Sequence, residues 1–278
     1  LLLPVPLYQA LVLAVIQSLT EFLPISSTAH LTLVPWALGW RDPGLSFDIA
    51  LHLGTVAALL GCFFRDWVHL TAHALKLPLS DSDPQLASNP RLLWWLAVAT
   101  LPVGVTGLLF KEQAESQWRN PLLIGAMLIL VGLLMYWADR KTRAERDLAA
   151  IGLPQALLIG LAQAFAVVPG VSRSGITISA ALFCHLSRPA AARFSFLLST
   201  PALLGAAFKA GLDLRAAGGL PAEMRVPFAL GFAASALTGW LVIAFFLRFL
   251  RRHTLKFFVC YRLILGIIVI ALALTVLR

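Results

Sequence analysis

The chain has 278 residues, 59% of them hydrophobic and 13% charged, with a formal net charge of +9. A soluble domain carries roughly 45–50% apolar and about 25% charged residues, so these proportions exclude a soluble globular protein and point to a chain embedded in lipid. The basic excess flanks apolar runs instead of clustering with aromatic residues, which argues against a nucleic-acid partner.

In chain order, Pro4 and Pro6 precede the first apolar stretch, which has no basic flank, so no cleaved signal peptide is expected. That stretch, Leu7 to Leu23, runs into a polar sequence and reads as half-spanning. Six runs near the ~20 residues needed to cross hydrocarbon then follow. They are Leu45 to Phe64, Leu92 to Phe110, Pro121 to Trp137, Ala191 to Leu212, Pro227 to Phe249 and Phe257 to Leu277. Leu153 to Val168, between the third and fourth, again ends in a polar sequence and reads as re-entrant. The expected fold is an all-α polytopic membrane protein of about six full transmembrane helices and two re-entrant helical hairpins. Membrane lipids are its solvent. Trp36, Trp40, Trp67, Trp94, Trp118 and Trp137 fall near segment ends, as interfacial anchors do. Cys62, Cys184 and Cys260 lie singly in apolar runs and read as packing residues.

The stretch Ala10 to Gln17, continuing to Pro24 and Ser26-Ser27, is echoed by Ala156 to Gln163, continuing to Pro169 and Ser172-Arg-Ser174. Each copy is followed by three full-length runs. An odd number of crossings separates the copies, so they enter from opposite sides, and one membrane domain would consist of inverted halves, 1–150 and 151–278. Basic loops at Arg65 to Arg91, Arg140 to Arg146 and Arg248 to Lys256 belong inside by the positive-inside rule. Lys111 to Asn120 and both termini then lie outside. Single cysteines at Asp42 and Arg143 would test this orientation.

The polar sequences are Gln17-Ser-Leu-Thr-Glu21-Phe-Leu-Pro-Ile-Ser-Ser27-Thr-Ala-His30 and Pro169-Gly-Val-Ser-Arg173-Ser-Gly-Ile-Thr177. A carboxylate or guanidinium at membrane depth costs about 2.5 to 3.5 kcal/mol on insertion scales, so Glu21 and Arg173 mark a working site. Gln17 and Glu21, spaced i, i+4, share one helix face. After Pro24, Ser26, Ser27 and Thr28 signal a helix restart, and Ser27 and His30, spaced i, i+3, bring a hydroxyl near an imidazole. In the second motif Ser172 or Ser174 caps a new helix carrying Arg173 and Thr177, while Gly170 and Gly175 permit close backbone approach. Two helix N-termini and a guanidinium fork suit phosphate or pyrophosphate, with Ser26, Thr28, Ser172, Ser174, Gly175 and Thr177 as candidate ligands. The blander readings are hydroxyls bonded back to their own helices and a packing ion pair between Glu21 and Arg173. No Walker A loop, His-Glu-x-x-His or Cys-x-x-Cys is present in the sequence.

At these two motifs the chain resembles the undecaprenyl pyrophosphate phosphatase family, the bacitracin-resistance proteins. The likeness extends through Phe47-Asp48 to Gly54, Phe194 to Pro201 and the pair Tyr261-Arg262. It implies dephosphorylation of a polyprenyl pyrophosphate, recycling the lipid carrier of bacterial cell-wall synthesis, with Mg²⁺ or Ca²⁺ as cofactor. It also implies that Glu21, Ser27, His30 and Arg173 are catalytic, and that Glu21 and Gln17 hold the metal, Gln standing where a second acid is also found. Asp48 and His52 are secondary candidates at the site's edge. Two mechanisms fit: Ser27 attacks phosphorus with His30 as base, or Ser27 binds phosphate and a water activated by Glu21 or His30 attacks. A polyprenyl-phosphate transporter or flippase using the same anion site is the alternative, since inverted repeats around broken helices also build carriers. The expected location is the bacterial inner membrane with the site opening to the periplasmic face, and small residues on the helices would permit a homodimer.

Overall fold

The structure is a computed structural model describing residues 5–40, 45–77, 83–141, 146–216 and 218–276. Residues 78–82 and 142–145, within two of the basic loops used for orientation, and residues 41–44, which hold the labelling position Asp42, lie outside the described residues. In chain order the helices are α1 (Leu7–Phe22), α2 (Ser27–Leu38), α3 (Leu45–Cys62), α4 (Phe64–Ala74), α5 (Pro84–Ala87), α6 (Leu92–Leu109) and α7 (Lys111–Glu115). They continue with α8 (Pro121–Lys141), α9 (Leu153–Ala164), α10 (Arg173–Phe183), α11 (Arg188–Ala216), α12 (Arg225–Leu250) and α13 (Lys256–Val276). No strand occurs among the described residues. In hydrocarbon each backbone N–H and C=O must be satisfied within its own segment, and helices achieve this.

Among the described residues, five helices are long and apolar enough to cross a membrane: α6, α8, α11, α12 and α13. The first expected span differs. It becomes α3 and then bends by 66° into α4. The start of the stretch expected to be a linker is therefore helical, because Phe64 and Val68, with Leu75 at the C-cap, recur at helical spacing and give α4 an apolar face.

α1 and α9 are apolar but only 16 and 12 residues long, and each stops near a proline. A residue preceding proline is pushed out of the helical region. Leu23 before Pro24 accordingly has ψ 143°, and Val168 before Pro169 has ψ 122°. Each chain then restarts through a serine with positive φ, Ser26 at 80° and Ser172 at 68°. Such non-glycine conformations cost about 1–3 kcal/mol and persist only where the surroundings enforce them.

α1 packs on α12 and α9 on α6; α12 also lies along α3, α8 along α13, and α10 between α8, α9 and α11. Glycines allow the closest of these approaches: a Cβ at Gly54 of α3 would lie 2.5 Å from Phe232 O, and one at Gly160 of α9 would lie 2.5 Å from Ala99 O. Where the basic loops converge, Asp139 accepts from Arg188 at 2.5 Å and from Leu255 N at 3.0 Å. Arg193 bridges Asp66 and Asp83 at 2.7 Å each. Leu101, Leu108, Phe208 and Ile264 stay exposed, an outer surface suited to lipid tails.

Candidate active site

The two proline breaks bring α1, α2, α9 and α10 to one place. Glu21 stands in the last turn of α1 with its side chain 5% exposed, and its Oε1 is paired to the Arg173 guanidinium from the first turn of α10. Its Oε2 accepts from Ser27 Oγ at 2.7 Å and from Gln17 Nε2 at 3.3 Å. One carboxylate thus gathers an amide, a hydroxyl and a guanidinium, and pairs with a half-buried cation from the other half of the chain. Gln17 is fully buried, and its Oε1 has no hydrogen-bond partner.

Further bonds join the two motifs. Ser174 Oγ donates to Leu23 O at 3.2 Å, and Gly170 N–H donates to Thr28 Oγ1 at 3.4 Å. Ser26 and Thr28 hydroxyls lie 3.2 Å apart. Ser172 accepts from Gly175 N–H at 3.2 Å and is therefore the cap of α10, settling the choice between Ser172 and Ser174. Gly170 has φ +93°, and a Cβ there would come within 2.6 Å of Ile124 O, so this corner requires glycine. A Cβ at Gly175 would meet Ser172 Oγ at 3.2 Å, a tight but softer contact.

Two expected placements change. His30 does not meet the Ser27 hydroxyl. Its Nδ1 lies 2.7 Å from Ser26 O and its Nε2 lies 2.6 Å from the Tyr261 hydroxyl. A carbonyl only accepts, so Nδ1 carries hydrogen and, in the neutral ring, Nε2 accepts from tyrosine. Both ring nitrogens are engaged, because the imidazole stacks on Tyr261, with ring planes 11° apart, instead of following Ser27 along α2. Thr177 is also turned to structure: its hydroxyl bonds Arg173 O at 2.7 Å and Ser195 Oγ at 2.6 Å in a fully buried seam between α10 and α11.

Asp48 and His52 stand apart from the Glu21 cluster. They line a neighbouring cavity of about 470 Å³ together with Thr28, Trp36, Arg119 and Pro169. His52 Nδ1 bonds Asp48 O at 2.8 Å. Thr28 and Pro169 belong to both places, so this cavity adjoins the junction of the broken helices.

Arg262, noted at first only as part of a late pair, is the largest fully buried side chain. It reaches Pro24 O at 3.3 Å in the first break and Gly170 O and Val171 O at 2.9 and 3.2 Å in the second. It also bonds Leu128 O and Met127 O at 3.2 Å each on α8. A broken helix leaves carbonyls unpaired and negative, and one guanidinium supplies the donors for both breaks. Its position inside the run Phe257 to Leu277 was the available signal: a charge at membrane depth, like Glu21 and Arg173.

This cluster can bind a phosphate dianion through Arg173 and the first turns of α2 and α10, with a hydroxyl bonded to a carboxylate beside it. Comparison with known proteins agrees with that chemistry. The chain is 47% identical over 266 residues to an undecaprenyl-diphosphatase of Pelotomaculum thermopropionicum, covering 96% of each chain. It is 45% identical to an undecaprenyl-diphosphatase of Moorella thermoacetica, covering 95% of this chain and 96% of that one. It is also 45% identical to an undecaprenyl-diphosphatase 2 of Stutzerimonas stutzeri, covering 96% and 98%. Residues 10–268 match the family model for bacitracin resistance protein BacA, a span that holds both broken helices, Tyr261 and Arg262, and the chain belongs to that family.

Proposed function

We propose that the chain hydrolyses undecaprenyl pyrophosphate to undecaprenyl phosphate and inorganic phosphate, recycling the lipid carrier of the bacterial cell wall and conferring bacitracin resistance. The observation that carries this reading is Glu21, whose one carboxylate holds both the Ser27 hydroxyl and the Arg173 guanidinium where two helix N-termini meet. Ser27 is the nucleophile in this reading and Glu21 its base, since Glu21 and not His30 accepts the Ser27 hydrogen. As Ser27 Oγ bonds the terminal phosphorus, its proton passes to Glu21 and the bond to the bridging oxygen breaks, releasing the lipid monophosphate. Water then hydrolyses the phosphoserine, freeing inorganic phosphate and restoring the hydroxyl. Arg173 leaves its carboxylate for the transferring phosphoryl group, joined there by free N–H groups of α2 and α10.

A divalent cation, Mg²⁺ or Ca²⁺, belongs to the reading. The residues fit it: Glu21 oxygens and the unpartnered Gln17 Oε1 are hard donors, and the substrate's phosphate oxygens would complete the shell. No cluster of three or more His, Cys, Asp or Glu side chains occurs among the described residues, so the protein alone would not cage the ion. When bound, such an ion would neutralise charge on the phosphate oxygens as the lipid monophosphate leaves.

The exchange of α1, α2, α3, α6 and α8 with α9, α10, α11, α12 and α13 supports a single domain of inverted halves, 1–150 and 151–278. Under it the α1–α12 contact becomes α9–α6, while α8–α13 and α3–α11 map onto themselves. The cavity beside Trp36 and Arg119 supports a site open to the periplasmic face of the inner membrane, with the isoprenoid tail left in lipid. A Cβ at Gly205 or Gly211 of α11 would meet nothing within 4 Å, which leaves α11 room to meet a second copy in a homodimer.

The test is phosphate release from undecaprenyl pyrophosphate by detergent-purified protein with Mg²⁺ or Ca²⁺. Glu21→Gln, Arg173→Ala and Ser27→Ala are each expected to fall at least ~100-fold, about 2.7 kcal/mol of barrier. His30→Gln is expected to fall less. Binding of the lipid without release by the folded parent would instead favour the carrier.

A further inference from the structure

Opposite the proposed mouth, where the basic loops gather, the end of α4 and the start of α6 enclose a second cavity of about 570 Å³. His73, Lys76, Pro90, Arg91, Trp94 and Trp95 line it. Arg193 is paired with both Asp66 and Asp83. Lys76 and Arg91, by contrast, form no ion pair among the described residues, and His73 Nε2 is buried without a hydrogen-bond partner. Three basic side chains thus line one space, with no carboxylate among its described lining residues. The positive end of the α6 dipole opens onto the same space.

The surroundings place this space at the lipid surface. α4 leaves α3 at 66° and carries exposed Phe64, Val68 and Leu75 along one side, while Leu70 and Ala72 face the protein. An amphipathic helix of this kind lies in the membrane interface. Trp94, 56% exposed at the head of a spanning helix, is an anchor at headgroup depth. Below it α6 exposes Leu101, Val105 and Leu108, a track for acyl chains.

We propose that this cavity binds the phosphate head group of an anionic phospholipid, with Lys76, Arg91 and His73 on the phosphate, the tryptophans against the glycerol and the chains along α6. Free inorganic phosphate shares the charge but lacks the apolar half for which Trp94 and the exposed α6 face are suited. Basic pockets between spanning helices on the cytoplasmic side hold such head groups in general.

The experiment uses the full chain in a maltoside detergent. Phosphatidylglycerol adducts are counted by native mass spectrometry, and melting temperature is followed against phosphatidylglycerol, phosphatidylcholine and inorganic phosphate. The parent should retain and be stabilised by phosphatidylglycerol, with little response to the other two. Lys76→Gln with Arg91→Gln should weaken that binding at least ~10-fold, about 1.4 kcal/mol, while keeping the lipid-free melting temperature. Binding within about twofold of the parent in the double variant, or equal stabilisation by inorganic phosphate, would overturn the proposal. If the double variant does not fold, brominated phosphatidylglycerol takes its place: it should quench the parent more than brominated phosphatidylcholine does, and the excess should vanish with Trp94→Phe and Trp95→Phe. An excess that persists in that variant overturns the site as well.

Discussion

Fully buried Arg262 and half-buried Arg173 are cations satisfied in different ways. Arg173 has a carboxylate partner that a phosphate can replace, whereas Arg262 is bonded to carbonyls of Pro24, Met127, Leu128, Gly170 and Val171. The first arrangement suits an exchange of ligands; the second fixes three elements against one another. Lysine offers a point charge in place of the planar fork and cannot serve both breaks at once. Arg262→Lys is therefore expected to lose about 2–4 kcal/mol of stability, read from detergent-denaturation midpoints, with phosphate release falling at the same time. His30 carries a lesson at the same scale. Its i, i+3 spacing from Ser27 put the pair on one face of α2, but rotamer and neighbours decided which hydroxyl the ring met, and that was Tyr261 from a segment 231 positions away.

The informative elements are the two interrupted helices. Proline at the break and an extended residue before it are local effects, legible from Pro24 and Pro169. The turn that follows is not local: Ser26 and Ser172 hold positive φ because Arg262 and the opposing motif grip the carbonyls around them. Gly170→Ala combines a strained φ of +93° with a Cβ 2.6 Å from Ile124 O. It should cost at least ~1–2 kcal/mol and displace the turn that positions Arg173. Gly218→Ala is the control, since Gly218 has a similar φ of +96° but nothing within 4 Å. Both variants should melt lower, and only the Gly170 change should also depress kcat. α4 was hidden at this scale because its charged residues resemble a loop, and its apolar stripe gains meaning only beside a membrane.

For the whole molecule, the pairs α1–α12 with α9–α6, α8–α13 and α3–α11 that persist when the halves are exchanged support the proposed repeat, and its sidedness rests on the basic loops. Asp42 and Arg143, the labelling positions suggested by the loops, lie outside the described residues, and exposed Ser116 and His253 replace them. In a chain freed of Cys62, Cys184 and Cys260, an impermeant thiol reagent applied outside intact cells should modify Ser116→Cys and spare His253→Cys. The reverse pattern would turn the site, and the lipid cavity at α4 and α6, to the opposite leaflets.

Composition and run lengths determined that this chain is an all-α membrane protein, and the two charges at membrane depth marked its broken helices as the candidate phosphate site, because hydrocarbon dictates helix and penalises unneeded charge. The repeat of Gln17 and Gln163, and of Pro24 and Pro169, was readable for the same reason: it lies in the order of residues. Tertiary structure decided the pairings. Glu21 meets Ser27 and Arg173, His30 meets Tyr261, Thr177 turns to Ser195, and Arg262 closes both breaks. Hydrogen bonds are short-ranged and directional, so a partner is chosen by which helices pack together, and spacing along one helix reports only the face on which a side chain begins.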